Sequence, residues 1–135
     1  MRAARCAFLL IATVLGCASA IHPIGGGAQS VVTERLYFGR KIGDSLGVTD
    51  SAWSVFLKDV VSARFPTGFT FWAAEGEWRG SSGRAQREPS MVLEIVHPSQ
   101  SAAADSAITA IITEYKRRFR QESVLRVITS ARASF

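Results

Sequence analysis

Few side chains in this sequence of 135 residues have the types and spacing that a reaction would need. Glu75 and Glu77 lie two positions apart in a predicted strand, so their carboxylates would share one face, as a general acid–base pair requires. The same spacing also describes the solvated end of a strand, which is the simpler interpretation. His22 and His97 show no metal-ligand spacing, so we predict no metal site.

Nucleophilic catalysis has no recognisable motif in this sequence either. There is no Gly-x-Ser-x-Gly segment, and both cysteines, Cys6 and Cys17, lie close to the amino terminus. The glycine run 25–27 lacks the preceding strand and the following Lys-Ser/Thr pair of a phosphate-binding loop. We therefore predict no catalytic residue and no cofactor. The alternative is catalysis by residues that are distant in the sequence and come together only in the folded protein.

The first twenty residues have the pattern of an export signal. Arg2 and Arg5 precede an apolar run from Ala7 to Leu15, which is shorter than the ~20 residues that span a membrane. Small residues follow the run, as they do at a cleavage site. The sequence therefore predicts a signal peptide over residues 1–20 and a mature protein on the periplasmic or cell-surface side of a bacterial membrane.

Two cleavage sites compete at the end of this segment. Ala18-Ser19-Ala20 fits the small-x-small rule, and cleavage there would release a soluble protein. Residues 14–17 instead resemble a bacterial lipobox, in which Cys17 becomes the lipidated first residue. The lipobox is favoured because Cys17 would otherwise be a single free thiol in an exported protein. The Gly-rich residues 18–30 would then be a flexible tether between the membrane and the domain.

The rest of the chain, residues 31–135, has a suitable length for one domain. The net charge of the whole chain is +5, and this includes Arg2 and Arg5 of the signal segment. The domain therefore has only a mild positive excess, which attracts anionic surfaces at most and does not predict nucleic-acid binding. Because the domain contains no cysteine, its core alone must stabilise it.

Apolar patterns divide the domain into six elements. The predicted strands cover 31–42, 69–79, 91–96 and 124–133. A first helix follows the N-cap residue Thr49, and a second follows Ser99 or Ser101. The order β-α-β-β-α-β is that of the split βαβ, or ferredoxin-like, arrangement. We therefore predict an α+β fold, in which a four-stranded antiparallel sheet has both helices on one face.

Strand alternation assigns the side chains to the two faces of this sheet. The expected helix-facing residues are Leu36, Phe38, Phe69, Phe71, Met91, Leu93, Ile95, Leu125 and Val127. The expected open face contains Arg35, Tyr37, Trp72, Trp78, Glu94, Arg126 and Ile128. A tyrosine, two tryptophans and paired charges are unusual on a face that only meets water. We therefore expect the open face to bind a second copy of the chain, a partner protein or a ligand; the alternative is a solvated face on which the assumed register misplaces some residues.

Several short motifs resemble one known family. They are Leu36-Tyr37-Phe38-Gly39, Arg64-Phe65-Pro66-Thr67-Gly68, Gly76-Glu77-Trp78-Arg79, Arg87-Glu88-Pro89-Ser90, Tyr115-Lys116-Arg117-Arg118-Phe119 and Gln121-Glu122-Ser123-Val124. In this combination the sequence resembles the family of the domain of unknown function 3574 over nearly the whole of residues 31–135. The resemblance implies a bacterial exported protein, often with a lipobox, but it implies no activity.

The family motifs single out four polar residues, Glu88, Tyr115, Gln121 and Glu122. The resemblance does not decide whether they form a site or hold the fold together. The function predicted from the sequence is a lipid-anchored, non-catalytic binding or self-association module. The alternative is a small enzyme or ligand-binding protein with a pocket between the sheet and the helices.

Overall fold

A computed structural model describes residues 27–43, 45–79 and 83–134, except for the side chains of Trp78 and Gln86. The predicted signal peptide, Cys17 and most of the predicted tether lie outside the described residues. The elements in chain order are β1 (Gln29–Gly39), β2 (Lys41–Ile42), β3 (Ser45–Leu46), α1 (Asp50–Phe56), a π-helical turn (Leu57–Val61), β4 (Thr70–Arg79), β5 (Ala85–Pro98), α2 (Ala102–Phe119) and β6 (Leu125–Ala133).

Four of the strands form one sheet in the order β4-β5-β1-β6, and every neighbouring pair is antiparallel. The short strands β2 and β3 form a separate hairpin directly after β1. Buried residues of both helices and of one side of β1 and β5 belong to a single cluster. The structure therefore confirms an α+β fold with a four-stranded antiparallel sheet and two helices.

Two strands have other bounds than their apolar patterns predict: β1 ends at Gly39 rather than at Ile42, and both β1 and β5 begin earlier. β1 begins at Gln29, so the last two residues of the predicted tether belong to the sheet. β5 begins at Ala85 rather than at Met91, because its first residues pair with the second half of β4. β1 pairs with β5 only as far as Ser90. Before that point β4 and β5 continue as a two-stranded ribbon.

Side-chain caps fix where the two helices begin. The hydroxyl of Thr49 accepts a hydrogen bond from the Ala52 backbone N–H at 3.2 Å, as the sequence predicts. Ser101, and not Ser99, caps α2 by accepting from the Ala104 N–H at 3.2 Å. α2 ends at Phe119, and the following residue, Arg120, takes the left-handed conformation common after helix ends. Among the described residues, no helix is both long and apolar enough to cross a membrane.

Aromatic rings form the centre of the core between the sheet and the helices. The Tyr115 ring of α2 lies 4.5 Å from the Phe38 ring, 4.8 Å from the Phe119 ring and 5.1 Å from the Phe56 ring, measured between centroids. Each such pair contributes about 0.5–1.5 kcal/mol beyond the burial of its surface. These packed side chains occupy the region where the alternative function placed its pocket.

The strand register confirms most of the predicted faces, because directly paired residues point to the same side of a sheet. Leu36 of β1 pairs with Leu93 and is buried under the helices, whereas Arg35 pairs with Glu94 on the open face. Trp72 of β4 is opposite Val92, which in turn pairs with Tyr37. Arg35, Tyr37, Trp72 and Glu94 therefore share the open face, as predicted.

The prediction of which residues of the last strand face the helices is wrong, because the alternation is shifted by one residue. Arg126 pairs with Leu36, so it points to the helix side, and Ile128 follows it there. Leu125 and Val127 pair with Tyr37 and Arg35 and lie on the open face. The physical reason is charge: the carboxylate of Glu34 is buried on the helix side and binds the Arg126 guanidinium.

Candidate functional site

A cleft of about 530 Å³ lies on the open face at the end of β1. Its floor crosses the sheet from β4 to β6, with Ala74, Ser90, Tyr37 and Leu125 contributed by successive strands. The β2–β3 hairpin and the loop between α2 and β6 also line it. Clefts of this size are typical of small-molecule sites. The architecture therefore provides a concave surface that a metabolite-sized ligand would fit.

Three of the four polar family-motif residues, Glu88, Gln121 and Glu122, line this cleft. The side-chain amide of Gln121 donates a hydrogen bond to the backbone carbonyl of Lys41 at 2.7 Å. The fourth residue, Tyr115, lies behind the cleft. Its hydroxyl donates to the backbone carbonyl of Gly39 at 2.8 Å. Side chains from β5, α2 and the loop after α2 thus converge on the corner where β1 ends.

Gly39 allows this convergence because it has no side chain. A Cβ atom at Gly39 would lie 2.4 Å from Oε1 of Glu88 and 3.4 Å from Oε1 of Gln121. The first distance is far inside van der Waals contact, so an alanine here would force the Glu88 carboxylate to move. The glycine of the Leu36-Tyr37-Phe38-Gly39 motif therefore has a steric function, which is to admit a carboxylate beside the backbone.

The Glu88 carboxylate is the group in the cleft with a perturbed proton affinity. Burial raises the pKa of Glu88, while the backbone N–H and the positive charge of Lys41 act in the opposite direction. The Lys41 ammonium itself donates to the carbonyl of Arg87 at 2.5 Å. A half-buried carboxylate in a cleft can accept hydrogen bonds from a ligand, bind a positive charge or take up a proton.

Tyr115 serves a structural function in this arrangement. Burial raises the pKa of Tyr115 well above that of a free phenol, so the hydroxyl remains a donor at neutral pH. Its hydrogen bond satisfies a carbonyl at the last residue of β1, and its ring stands in the core. Tyr115 therefore positions the floor of the cleft from behind, whereas Glu88 lines the cleft itself.

A second polar cluster lies on the other side of the sheet, under α2. The two carboxylate oxygens of Glu34 accept hydrogen bonds from Nε and Nη2 of Arg126, and Nη2 also reaches Oδ1 of Asp105 at 2.7 Å. Nε2 of His97 lies 3.2 Å from Oε1 of Glu34. Sequence reasoning missed Glu34, although its alternation with Leu36 and Phe38 places an acidic residue in a row of core residues.

The remaining candidates lie in the cleft or elsewhere on the open face. Glu75 and Glu77 line the cleft, as does Tyr37. Arg35 donates to Glu94 at 2.6 Å on the open face, outside the cleft lining. Trp72 is half-exposed on that face, and the side chain of Trp78 is not described. No three histidine, cysteine or carboxylate groups of the described ranges are close enough to hold a metal ion.

The fold and the cleft define the class first: this is a small α+β protein with a concave site at one end of its sheet. The particular family follows from its sequence. Residues 33–135 match the family described as protein of unknown function (DUF3574), so the chain belongs to that family. A comparison with curated proteins finds no match.

Two solved structures of similar fold both come from a phage SAM lyase. The lyase in complex with S-methyl-5'-thioadenosine aligns with a TM-score of 0.59 and 22% sequence identity, covering 87% of this chain and 97% of that chain. The lyase in its apo state aligns with a TM-score of 0.58 and 22% identity, covering 82% and 90% of the two chains. At this level of identity the likeness shows a shared fold.

Proposed function

We propose that this protein binds a small organic molecule in the cleft at the end of β1. The observation that carries the proposal is the convergence of Glu88, Gln121 and Glu122 on one cleft of about 530 Å³. These three residues come from two motifs, 87–90 and 121–124, that are far apart in the sequence. If these residues only stabilised the fold, the hydrogen bond of Gln121 to Lys41 would be explained. The cleft beside that bond would have no explanation, because fold stability does not require a concave surface there.

The phage SAM lyase suggests which compounds to test first. That protein has the same fold and was solved with S-methyl-5'-thioadenosine. Adenosine thioethers and the corresponding sulfonium, S-adenosylmethionine, are of a size that a cleft of this volume accommodates. We propose these nucleosides as the ligand class. The proposed activity is binding, and an enzyme would in addition convert the bound molecule.

Isothermal titration calorimetry with S-methyl-5'-thioadenosine and S-adenosylmethionine tests this proposal. The variant Gly76→Leu places a side chain in the cleft, since nothing lies within 4 Å of a Cβ at Gly76. The control Ala73→Leu places the same leucine side chain on the exposed opposite face of β4. We expect binding by the wild type and by Ala73→Leu, and none by Gly76→Leu. Absence of wild-type binding, or binding that survives Gly76→Leu, would contradict the proposal.

The strand order supports a finer classification of the fold, which we propose as ferredoxin-like. With the short β2–β3 hairpin set aside, the first and third long strands are neighbours at the centre of the sheet, and the second and fourth are its edges. The two helices each connect long strands that are not adjacent in the sheet. This is the arrangement that the split βαβ motif predicts.

Self-association through the open face is a second candidate function. Outside the cleft this face exposes apolar groups, including Trp72, Val96 and Val127. Burial of such a patch against a second copy or a partner protein would remove apolar surface from water. Light scattering of the wild type and of Trp72→Asp distinguishes the outcomes. A dimer that the substitution dissociates supports the candidate, and a wild-type monomer contradicts self-association.

The location of the protein stays a proposal based on its amino-terminal sequence. We propose that Cys17 is lipidated and that the domain lies at the outer side of a bacterial membrane. Fractionation of cells that express the full chain tests this. Wild-type protein in the membrane fraction and Cys17→Ser protein in the soluble fraction would support a lipid anchor. A wild-type protein that is already soluble would instead indicate cleavage after Ala20.

A further inference from the structure

The chain has a net charge of +5, yet its cleft contains acidic side chains. Glu88 and Glu122 line the cleft together with the cationic residues Lys41 and Arg120. Glu75 and Glu77 also belong to the lining, but they alternate with Ala74 and Gly76 along β4, so their carboxylates leave the strand on its opposite face. The acidic side chains on the cleft side are therefore Glu88 and Glu122.

One of the two cationic groups is already occupied. The Lys41 ammonium donates to the carbonyl oxygen of Arg87 at 2.5 Å. A hydrogen bond from the Lys41 backbone N–H holds the half-buried Glu88 carboxylate in the wall of the cleft, and the missing side chain of Gly39 leaves room for it. Removal of a carboxylate from bulk water strengthens its interaction with an opposite charge, because the local dielectric is lower. Glu88 is thus the acidic group best placed to act on a ligand.

The other lining residues distinguish an organic cation from a metal ion. Tyr37, Ile42 and Leu125 give the cleft an aromatic ring and aliphatic walls. Aromatic faces attract organic cations, and apolar walls bury their carbon substituents. In the part of the chain that the structure describes, no three acidic, histidine or cysteine groups have the geometry for a metal ion.

We infer that the cleft selects a positively charged organic ligand, and that Glu88 is the residue that recognises the charge. This inference rests on the proposed small-molecule function and specifies which ligands the cleft prefers. For the adenosine thioethers and sulfoniums proposed above, it means that the sulfonium S-adenosylmethionine binds more tightly than neutral thioethers. Glu88 acts here as a binding residue, and its proposed role involves no covalent step.

S-Adenosylmethionine and S-adenosylhomocysteine form a suitable pair of probes. They differ by one methyl group and by the positive charge on sulfur, so the ratio of their dissociation constants isolates the effect of the charge. We expect wild-type protein to bind the sulfonium at least about tenfold more tightly in calorimetry at low salt. In Glu88→Gln we expect that ratio to fall close to one, mainly because sulfonium affinity decreases.

A matched variant controls for the loss of a carboxylate elsewhere. Glu114→Gln removes a carboxylate of α2 that pairs with Arg117 and does not line the cleft, so its ratio should equal that of the wild type. Equal affinity of the wild type for both probes would overturn the inference while leaving the proposed function intact. A ratio unchanged in Glu88→Gln would overturn the assignment to Glu88. If neither probe nor S-methyl-5'-thioadenosine binds, the proposed nucleoside function itself fails.

Discussion

Replacement of Arg126 by methionine tests the arrangement of charges under α2. The guanidinium of Arg126 makes two hydrogen bonds with Glu34, whose side chain is only 3% exposed, and a third with Asp105. Arg126→Met keeps most of the aliphatic stem and removes the charge. Glu34 would then stay buried without its main partner, with His97 at 3.2 Å as the nearest remaining one.

The expected cost follows from the burial of Glu34. Breaking one partner of a buried ion pair typically destabilises a protein by about 3–5 kcal/mol. Because the Arg126 side chain is 21% exposed and His97 stays in place, we expect the lower end, about 3 kcal/mol. In a domain of this size that corresponds to a decrease in the melting temperature of roughly 10–20 °C. Urea denaturation followed by tryptophan fluorescence measures the change in the free energy of unfolding.

Arg35→Met is the matched control, since it removes the same group from the opposite face of the neighbouring strand. Its partner Glu94 lies near the solvent, and the Arg35 side chain is half-exposed, so we expect a much smaller change. The double variant Glu34→Gln with Arg126→Met should recover part of the loss, because no buried charge is left unpaired. If Arg126→Met lowered the free energy of unfolding by less than about 1 kcal/mol, Arg126 would not form a buried ion pair on the helix side of the sheet, and this result would refute the reasoning.

Three further predictions concern Glu34, Tyr115 and Gly39. Burial raises the pKa of Glu34, but the bonds from Arg126 and His97 outweigh this effect and lower it below the ordinary value of 4.5. The stability that Glu34 contributes is therefore present above pH 4.5 and lost below it. The urea midpoints of wild type and Glu34→Gln should converge as the pH falls below 4.5, and a constant difference would contradict this. Tyr115→Phe keeps the ring and leaves the Gly39 carbonyl without its donor, so it should cost about 1–3 kcal/mol in the same urea assay; an unchanged midpoint would disprove the structural role. Gly39→Ala should weaken S-adenosylmethionine binding by displacing Glu88, whereas Gly76→Ala, with open space around its Cβ, should have a smaller effect. Equal affinities of these two variants in calorimetry would argue against the steric role of Gly39.

The element order could be predicted because both helices and the central strands have one buried face. Ile108, Ile111, Tyr115 and Phe119 recur at helical spacing, and all four are buried in α2. The same contrast is absent from β6, an edge strand in which Leu125 and Ile128 are both exposed. The alternation of apolar residues in β6 therefore assigned its side chains to the wrong faces of the sheet. The position of Arg126 depends on Glu34, 92 residues away in the sequence.

The cleft could be predicted only in part, for a related reason. Its wall joins Gly39 of β1, Glu88 of β5 and Gln121 after α2, which no local pattern connects. The family motifs identified Glu88 and Gln121 as candidates but did not show that they meet. Glu75 and Glu77 were found from their spacing alone, yet their relation to the cleft depends on the length of the β4–β5 ribbon. Strand pairing across the sheet determines which of these residues lie side by side, and local sequence patterns do not contain that information.

That ribbon has a consequence for the exchange of backbone amides with solvent. Before Ser90, β5 pairs with β4 but no longer with β1, and β4 is an edge strand, so the pairs from Gly76 to Arg79 have no neighbouring strand on either side. Two-stranded segments open at a lower free energy than the sheet that carries them. Amide hydrogens of this extension should therefore exchange through local opening, well before those of β1. Because Gly76, Glu77 and Glu88 lie on both the ribbon and the cleft, an occupied cleft would slow exchange there first.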